Sequence, residues 1–247
     1  MIQITVILEI LINIALLSEF IPLIFCVLFY KKLNTRFLEV FFIYAILQAV
    51  FIILISLNYY INRSLPTNNL ILRFHLVFEY ILIGYFLYLL IESVIARKIL
   101  LFSILPFLIY NFYDFLKYGN STFSNTPTIV EFFIFIVFII IFFFEKMQND
   151  FTVPIYSTIS FWICVGLFVY CTGNFFYILF SENFKNANIE IKNQLKLLYS
   201  VITILKNIII GFSLFNISSQ KKSEDSNSAQ FPSDINLDAF TPNHNLN

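Results

Sequence analysis

Seven long apolar stretches constrain the fold of this 247-residue sequence more than any other feature. Crossing the ~30 Å hydrocarbon core of a bilayer takes about 20 mostly apolar residues, because a helix rises ~1.5 Å per residue. The apolar residues run continuously, whereas barrel strands would show them alternating with polar residues. The stretches therefore predict seven membrane-spanning helices, at residues 4–29, 37–61, 70–91, 99–116, 127–144, 154–180 and 195–217.

The polar connections between these stretches are short, and short connections make consecutive helices antiparallel. We therefore expect an all-α polytopic membrane protein, an up-down bundle of seven transmembrane helices over residues 1–217. The first stretch has no basic start and no small-residue cleavage site, which predicts an uncleaved helix. Residues 218–247 are rich in Ser, Asn, Asp and Lys, which predicts a disordered cytoplasmic tail.

Lysine and arginine residues are more frequent on one side of the predicted bundle. They concentrate in the tail and in the loops after the first, third and fifth stretches, for example at Lys31, Arg97 and Lys98. Because basic loops stay in the cytoplasm, this bias predicts an outside N-terminus and a cytoplasmic C-terminus. The loop between the sixth and seventh stretches opposes the bias with Lys185 and Lys192.

Composition excludes several classes of function. The formal net charge is zero, which gives no basis for binding nucleic acid. Cys26, Cys164 and Cys171 all lie in apolar stretches, as packing residues do, and their spacing fits neither a disulfide framework nor a zinc site. Only two histidines are present and His244 is in the tail, so a metal-hydrolase site is not expected. No Gly-rich phosphate loop occurs, and we predict neither a metal nor a cofactor.

Charged residues deep within a stretch are the strongest candidates for function. A charge at mid-bilayer depth costs ~2.5–3.5 kcal/mol on insertion scales, and such residues usually face the bundle interior. His75 and Glu79 are four residues apart and share a helix face. This spacing predicts either a proton-responsive or ligand-binding pair or a structural pair between helices. Glu19 precedes Pro22, and a proline in mid-helix produces a kink that often lines a cavity.

Lys206 is the deepest cation, near the middle of the seventh stretch. A salt bridge to Glu19, Glu79 or Asp114 is the structural interpretation. Schiff-base chemistry is the alternative, because an apolar pocket favours a neutral lysine amine. Seven helices with a lysine in the last one resemble the retinal-binding rhodopsins, with Glu79 as counterion. The usual carboxylate that precedes this lysine is missing here.

Other charged and polar residues are predicted to lie near the ends of their helices. Arg73 is expected to extend its side chain to the membrane interface. Asp114 and Asn111 are expected in an outer belt with neighbouring tyrosines. Glu131 is expected in the first turn of the fifth helix, where the helix dipole favours an anion.

The sixth stretch carries a stripe of small and aromatic residues. Gly166, Tyr170, Gly173 and Tyr177 fall on one helix face, which predicts close packing against a neighbouring helix. Asn174 lies on an adjacent face, from which it could hydrogen-bond across the interface. A wall of a ligand site is the alternative interpretation of the same pattern.

Three segments resemble a group of uncharacterised bacterial seven-helix membrane proteins. The first is the pattern W-x(3)-G-x(3)-Y followed by G-N-x-F, which begins at Trp162. The second is residues 75–80, and the third is residues 197–200 with residues 206–207. Some members of this group resemble the membrane input modules of sensor histidine kinases. The resemblance implies a bacterial inner membrane and signalling through a cytoplasmic protein.

The sequence as a whole favours a non-enzymatic sensory or partner-binding module in the lipid bilayer. A small-molecule transporter or channel lined by the same polar residues is the main alternative. A lipid-modifying enzyme and a retinal-binding protein are further alternatives, and the ligand and oligomeric state stay open. The predicted polar centre has no catalytic residue and no metal ligand, and consists of His75, Glu79, Asn174, Lys206 and Glu19.

Overall fold

The computed structural model describes residues 2–32, 35–61, 65–119, 124–149, 155–184 and 188–228. Seven segments among them are long and apolar enough to cross a membrane, and α1 and α2 together contain the first. The predicted fold class is therefore confirmed, and the chain is an all-α, multi-pass membrane protein. The described α-helices are α1 (Ile2–Ser18), α2 (Phe20–Leu28), α3 (Arg36–Ile61), α4 (Leu65–Leu90), α5 (Val94–Tyr118), α6 (Thr126–Asn149), α7 (Ile159–Asn183) and α8 (Ile189–Ser228).

Local sequence signals set both ends of α5. The Ser93 side chain accepts a hydrogen bond from the Ala96 amide at 3.3 Å, which caps the start of the helix. The helix ends at Gly119, whose φ of +60° is a backbone conformation that residues with a Cβ rarely adopt. The capping serine and the glycine after the last turn, rather than the ends of the apolar run, therefore set the limits of α5.

The starts of α6 and α7 differ in how well the sequence predicts them. α6 begins at Thr126, within the predicted start at residues 125–127. Pro154, the predicted start of the sixth span, lies outside the described residues. α7 begins at Ile159, after a single 3₁₀ turn at Ile155–Ser157.

The first span is interrupted at Glu19, between α1 and α2. Pro22 has no amide hydrogen, so the carbonyl of Ser18 lacks the hydrogen bond that a continuous helix would give it. The Ser18 hydroxyl donates to the carbonyl of Ala15 at 2.7 Å, within the last turn of α1. Glu19 lies at this interruption, while the kink predicted from Pro22 stays a prediction.

The spans form a ring of six helices with one helix outside it. α8 lies between α7 and the first span, where both α1 and α2 pack against it. α2 packs on α3, α3 on α4, α4 on α6 and α6 on α7, which closes the ring. α5 lies outside, against α4 and α6. Each span contacts the next along the chain, as an up-down bundle requires, while the orientation across the membrane stays a prediction.

α7 and α8 approach each other closely at two glycines. A Cβ on Gly166 would lie 2.6 Å from Cγ1 of Ile210, and one on Gly173 would lie 2.7 Å from Cγ2 of Ile202. These distances leave no room for a methyl group unless a neighbour moves. The close packing predicted for this stripe is therefore confirmed.

The expectation that Arg73 extends its side chain to the membrane interface is wrong, because Arg73 is buried, as are Asp114 and Asn111. The depth predicted for these residues, near the ends of their spans, stays a prediction. Arg73 Nη1 donates to Asp114 Oδ2 at 2.7 Å, and the guanidinium carbon lies 5.7 Å from the ring centroid of Phe115. α4 and α5 both extend beyond their apolar runs. These residues therefore face a neighbouring helix, and the ion pair joins α4 to α5.

The prediction that Glu131 lies in a first helical turn is also wrong. α6 begins five residues earlier, at Thr126, so Glu131 lies in the second turn, where it is fully buried. Neither of its carboxylate oxygens has a hydrogen-bond partner among the described atoms. The helix dipole therefore does not account for this residue.

α8 is the longest helix and continues to Ser228, past the predicted domain boundary at residue 217. Residues 229–247, which include Phe231, Pro232, Phe240 and Pro242, lie outside the described residues. The disorder predicted for that part of the tail stays a prediction.

Candidate functional site

Polar side chains of α3 and α4 form a hydrogen-bonded group inside the bundle, here called the α3–α4 polar cluster (Tyr44, Gln48, His75 and Glu79). His75 Nδ1 lies 3.4 Å from Glu79 Oε2, one turn along α4. Gln48 Oε1 lies 2.8 Å from His75 Nε2, and Gln48 Nε2 donates to Glu79 Oε1 at 3.2 Å. Tyr44 Oη accepts from Gln48 Nε2 at 2.9 Å. The predicted contact of His75 with Glu79 is confirmed, and it extends to a second helix.

The α3–α4 polar cluster joins the two helices through the side chain of Gln48. Its amide group contacts both the His75 ring and the Glu79 carboxylate. These hydrogen bonds offset part of the cost of burying polar side chains inside the bundle.

A second polar group joins the first span to α8. Lys206 Nζ donates to both carboxylate oxygens of Glu19 at 2.8 Å, and it lies 4.5 Å from the ring centroid of Tyr170 on α7. Beside it, Asn207 Nδ2 donates to the Ser18 hydroxyl at 2.9 Å. Of the three partners that the sequence offers for Lys206, the structure selects Glu19. The break in the first span is therefore tied to α8 by two side-chain contacts.

A half-open cavity of about 370 Å³ lies between α1, α3, α4, α7 and α8. Glu19, Gln48 and Tyr170, which are near the middle of their spans, line its deep end, while Ser56 and Lys196 line it nearer to the span ends. The cavity lies in the half of the bundle that contains the N-terminus. The other lining residues are His75, Tyr177, Tyr199, Ser200, Thr203, Ile12, Ala15, Leu16, Phe51, Ile52, Ile55 and Leu72.

The structure brings four of the five predicted centre residues to this cavity. Glu19 and His75 line it, and Lys206 and Glu79 contact them from behind. Asn174 is separate, since it is buried on α7 and donates to a carbonyl of its own helix at 2.9 Å. No described contact joins Asn174 to the other four residues, nor does it hydrogen-bond across to another described helix.

The partner of Glu79 bears on the resemblance to retinal proteins. Glu79, the counterion that such a site would use, contacts His75 and Gln48 rather than Lys206. The Lys206 ammonium instead meets Glu19. The geometry therefore gives the retinal interpretation no support.

Sequence reasoning missed Tyr199, Ser200 and Thr203 as lining residues. A signal was present, because Tyr199, Thr203 and Lys206 fall on one face of α8 at positions i, i+4 and i+7. Tyr44 and Gln48 give a similar signal at i and i+4 on α3. Tyrosine, serine and threonine are common in apolar helices, so this pattern identifies lining residues only once the position of the cavity is known.

Within the described ranges, no group of three or more His, Cys, Asp or Glu side chains is placed to hold a metal ion. Cys26, Cys164 and Cys171 are buried free thiols.

No protein-family model, curated protein or solved structure matches this chain. The resemblance to bacterial seven-helix proteins stays a prediction. A proposal of function therefore has to rest on the cavity and on the two polar groups beside it.

Proposed function

We propose that this protein is a sensory module of a bacterial inner membrane that binds a small ligand inside its helix ring. The cavity is the observation that carries the proposal. Five helices surround it, its walls are largely apolar, and a few polar groups converge at its deep end. Pockets of this size and character are typical of small-molecule sites. With the N-terminus outside, as the lysine and arginine bias predicts, the ligand is sensed from the outer half of the membrane.

α8 supports a sensory role because it runs from the cavity to the end of the bundle opposite the N-terminus. Tyr199, Ser200 and Thr203 line the cavity, and the same helix continues beyond its span to Ser228. A ligand shifts a conformational equilibrium only by its difference in affinity between two states. Occupancy next to Glu19 changes the contact between the first span and α8. The end of α8 presents that change to a cytoplasmic signalling protein.

The broken first span is the observation that favours transport as a second function. Discontinuous helices often form substrate sites in transporters, and Glu19 lies at such a break. The half of the ring beyond the cavity is filled by buried side chains, among them Cys26, Phe41 and Leu214. Among the described residues the cavity is therefore closed on that side. Uptake of radiolabelled amino acids or sugars into proteoliposomes, abolished by Glu19→Gln, would establish transport.

Native mass spectrometry tests ligand binding. We expect protein extracted from bacteria in mild detergent to retain a small molecule, and Ser200→Phe to release it, because the phenyl group fills the cavity. Val201→Phe is the matched control, since that neighbouring side chain is 37% exposed and does not line the cavity. An empty wild-type protein together with a more stable Ser200→Phe variant would identify the cavity as a packing void and contradict the proposal.

A further inference from the structure

The cavity adjoins a groove on the outside of the bundle. A groove of about 450 Å³ runs between α1 and α3, and it shares Leu16, Ile52 and Ser56 with the cavity. Helix packing explains this gap, because α3 packs on α2 whereas α1 packs along α8. The break at Glu19 separates the two halves of the first span. α1, the half of the first span before Glu19, therefore leaves a lateral opening beside α3.

The groove has the character of a lipid-facing surface. Leu17 is 68% exposed, Leu57 49% and Ile53 46%, and all three line the groove without lining the cavity. These residues lie within the spans of α1 and α3, at the depth of acyl chains. A molecule in the groove would lie beside the acyl chains of the bilayer, so the groove suits a hydrocarbon chain.

The charged residues around the cavity indicate which head group such a molecule would carry. The Lys206 ammonium is paired with Glu19, while Glu79 contacts His75 and Gln48 and does not line the cavity. Lys196, which also lines the cavity, has no acidic partner among the described contacts. The cavity therefore offers one uncompensated positive charge to a ligand, together with the hydroxyl groups of Tyr177 and Tyr199.

We propose that the ligand is a single-chain amphiphile with a carboxylate head, a fatty acid, that enters from the bilayer between α1 and α3. The head lies in the cavity near Lys196, and the chain passes Leu16, Ile52 and Ser56 into the groove. The groove and the cavity meet at three shared residues, a junction suited to the passage of one chain. This proposal rests on the proposed ligand-binding function and specifies the ligand and its route.

Photo-crosslinking tests the route. Protein in phosphatidylcholine nanodiscs is incubated with palmitic acid that carries a diazirine in its chain, and labelled peptides are mapped by mass spectrometry. We expect labels on α1 and α3 beside the groove, and loss of most labelling in Ser56→Trp and Leu16→Trp, which block the opening from opposite sides. Leu54→Trp is the control, since Leu54 is 43% exposed on α3 and lines neither space.

Equilibrium binding tests the head group. We expect palmitic acid to bind more tightly than hexadecanol or hexadecylamine, because only the acid pairs with Lys196. Lys196→Gln should lower the affinity for palmitic acid roughly fivefold, as expected for one partly exposed ion pair, and leave hexadecanol unaffected. Lys192→Gln, an exposed lysine one turn earlier on α8, should leave both affinities unchanged.

Three results would overturn the inference. One is equal labelling of the blocked variants and Leu54→Trp, with all variants eluting as monodisperse protein in size-exclusion chromatography. Another is equal binding of the acid and the alcohol. The third is a water-soluble ligand that the wild-type protein retains and palmitic acid does not displace. That third result would leave the proposed ligand-binding function intact, whereas an empty cavity would contradict both.

Discussion

Two pairs of opposite charges within the membrane spans of this protein join different helices. Lys206 is bonded to Glu19, and Arg73 to Asp114. Each pair removes the net charge that a bilayer penalises, and each fastens one span to another. Removing one member leaves an uncompensated buried charge, whereas removing both does not. The energetic role of each pair therefore appears only when single and double variants are compared.

A double-mutant cycle on Glu19 and Lys206 measures this coupling. We expect Glu19→Gln and Lys206→Met each to lower the free energy of unfolding by about 2–3 kcal/mol, because each leaves one charge unpaired. The double variant should lose clearly less than the sum of the two single losses. SDS-induced unfolding in mixed micelles gives the three values. Additive losses would show that the ion pair does not couple α8 to the first span.

The ion pair between Arg73 and Asp114 has a natural control in the same protein. We expect Asp114→Asn to lower the free energy of unfolding by about 2–4 kcal/mol, because it leaves a buried guanidinium without its carboxylate. Glu92→Gln removes the partner of Lys146 in a more exposed pair, at 2.7 Å, and should cost less than about 1 kcal/mol. Similar losses in both variants, measured by the same SDS titration, would contradict the burial of Arg73.

At the scale of helices, the α7–α8 contact is the most extensive that is described in the ring. Because Gly166 and Gly173 allow α8 to approach α7, the Lys206 side chain contacts the ring of Tyr170, which lines the cavity. The distance between the two helices therefore sets the shape of the cavity wall. A change in this distance alters the site without touching any polar residue.

A glycine substitution tests this contact. We expect Gly173→Ala to lower the free energy of unfolding by about 1–3 kcal/mol, because the new methyl group would lie 2.7 Å from the Ile202 side chain. Gly84→Ala is the control, since nothing lies within 4 Å of its Cβ position. Ile202→Ala combined with Gly173→Ala should recover part of the loss. No difference between the two glycine variants would show that the helices have room to separate.

The sequence predicts the helices better than their contacts. Apolar length gives seven spans because the bilayer imposes it, but helices continue into the headgroup region, where polar residues are tolerated. α5 therefore begins at Val94 rather than 99, and α6 ends at Asn149 rather than 144. For Arg73 and Asp114 the apolar run indicates a depth near the span ends but not which way each side chain points. Only the packed structure shows that they face each other.

The candidate site was predictable in part for a similar reason. Glu19 and Lys206 stand out because charge is rare in an apolar helix. The sequence offers three partners for Lys206, and the choice among them depends on which helices are neighbours in the ring. Asn174 also stands out, yet it faces its own helix backbone. Hydrophobic periodicity does not decide such contacts between helices that are distant in the chain.

At the scale of the whole molecule, cysteine labelling tests the orientation in the membrane. We expect Phe184→Cys, at the end of α7 that shares a side with the N-terminus, to react with an impermeant maleimide in intact cells. Tyr156→Cys, at the other end of α7, should react only after the membrane is permeabilised, because the basic loops stay in the cytoplasm. Cys26, Cys164 and Cys171 are buried, so background labelling is low. The opposite pattern would reverse the topology.

The ion pair between Glu19 and Lys206 also bears on the order in which the protein is synthesised and assembled. The two residues are 187 positions apart, and α8 follows the other six described spans along the chain. At ~5–20 residues per second, the ribosome takes about 10–40 s to add the lysine after the glutamate has left it. During that interval Glu19 has no ammonium to bind, and the ring has no final helix to close it. The first span therefore gains its ion pair with α8 only after the five spans between them have been synthesised.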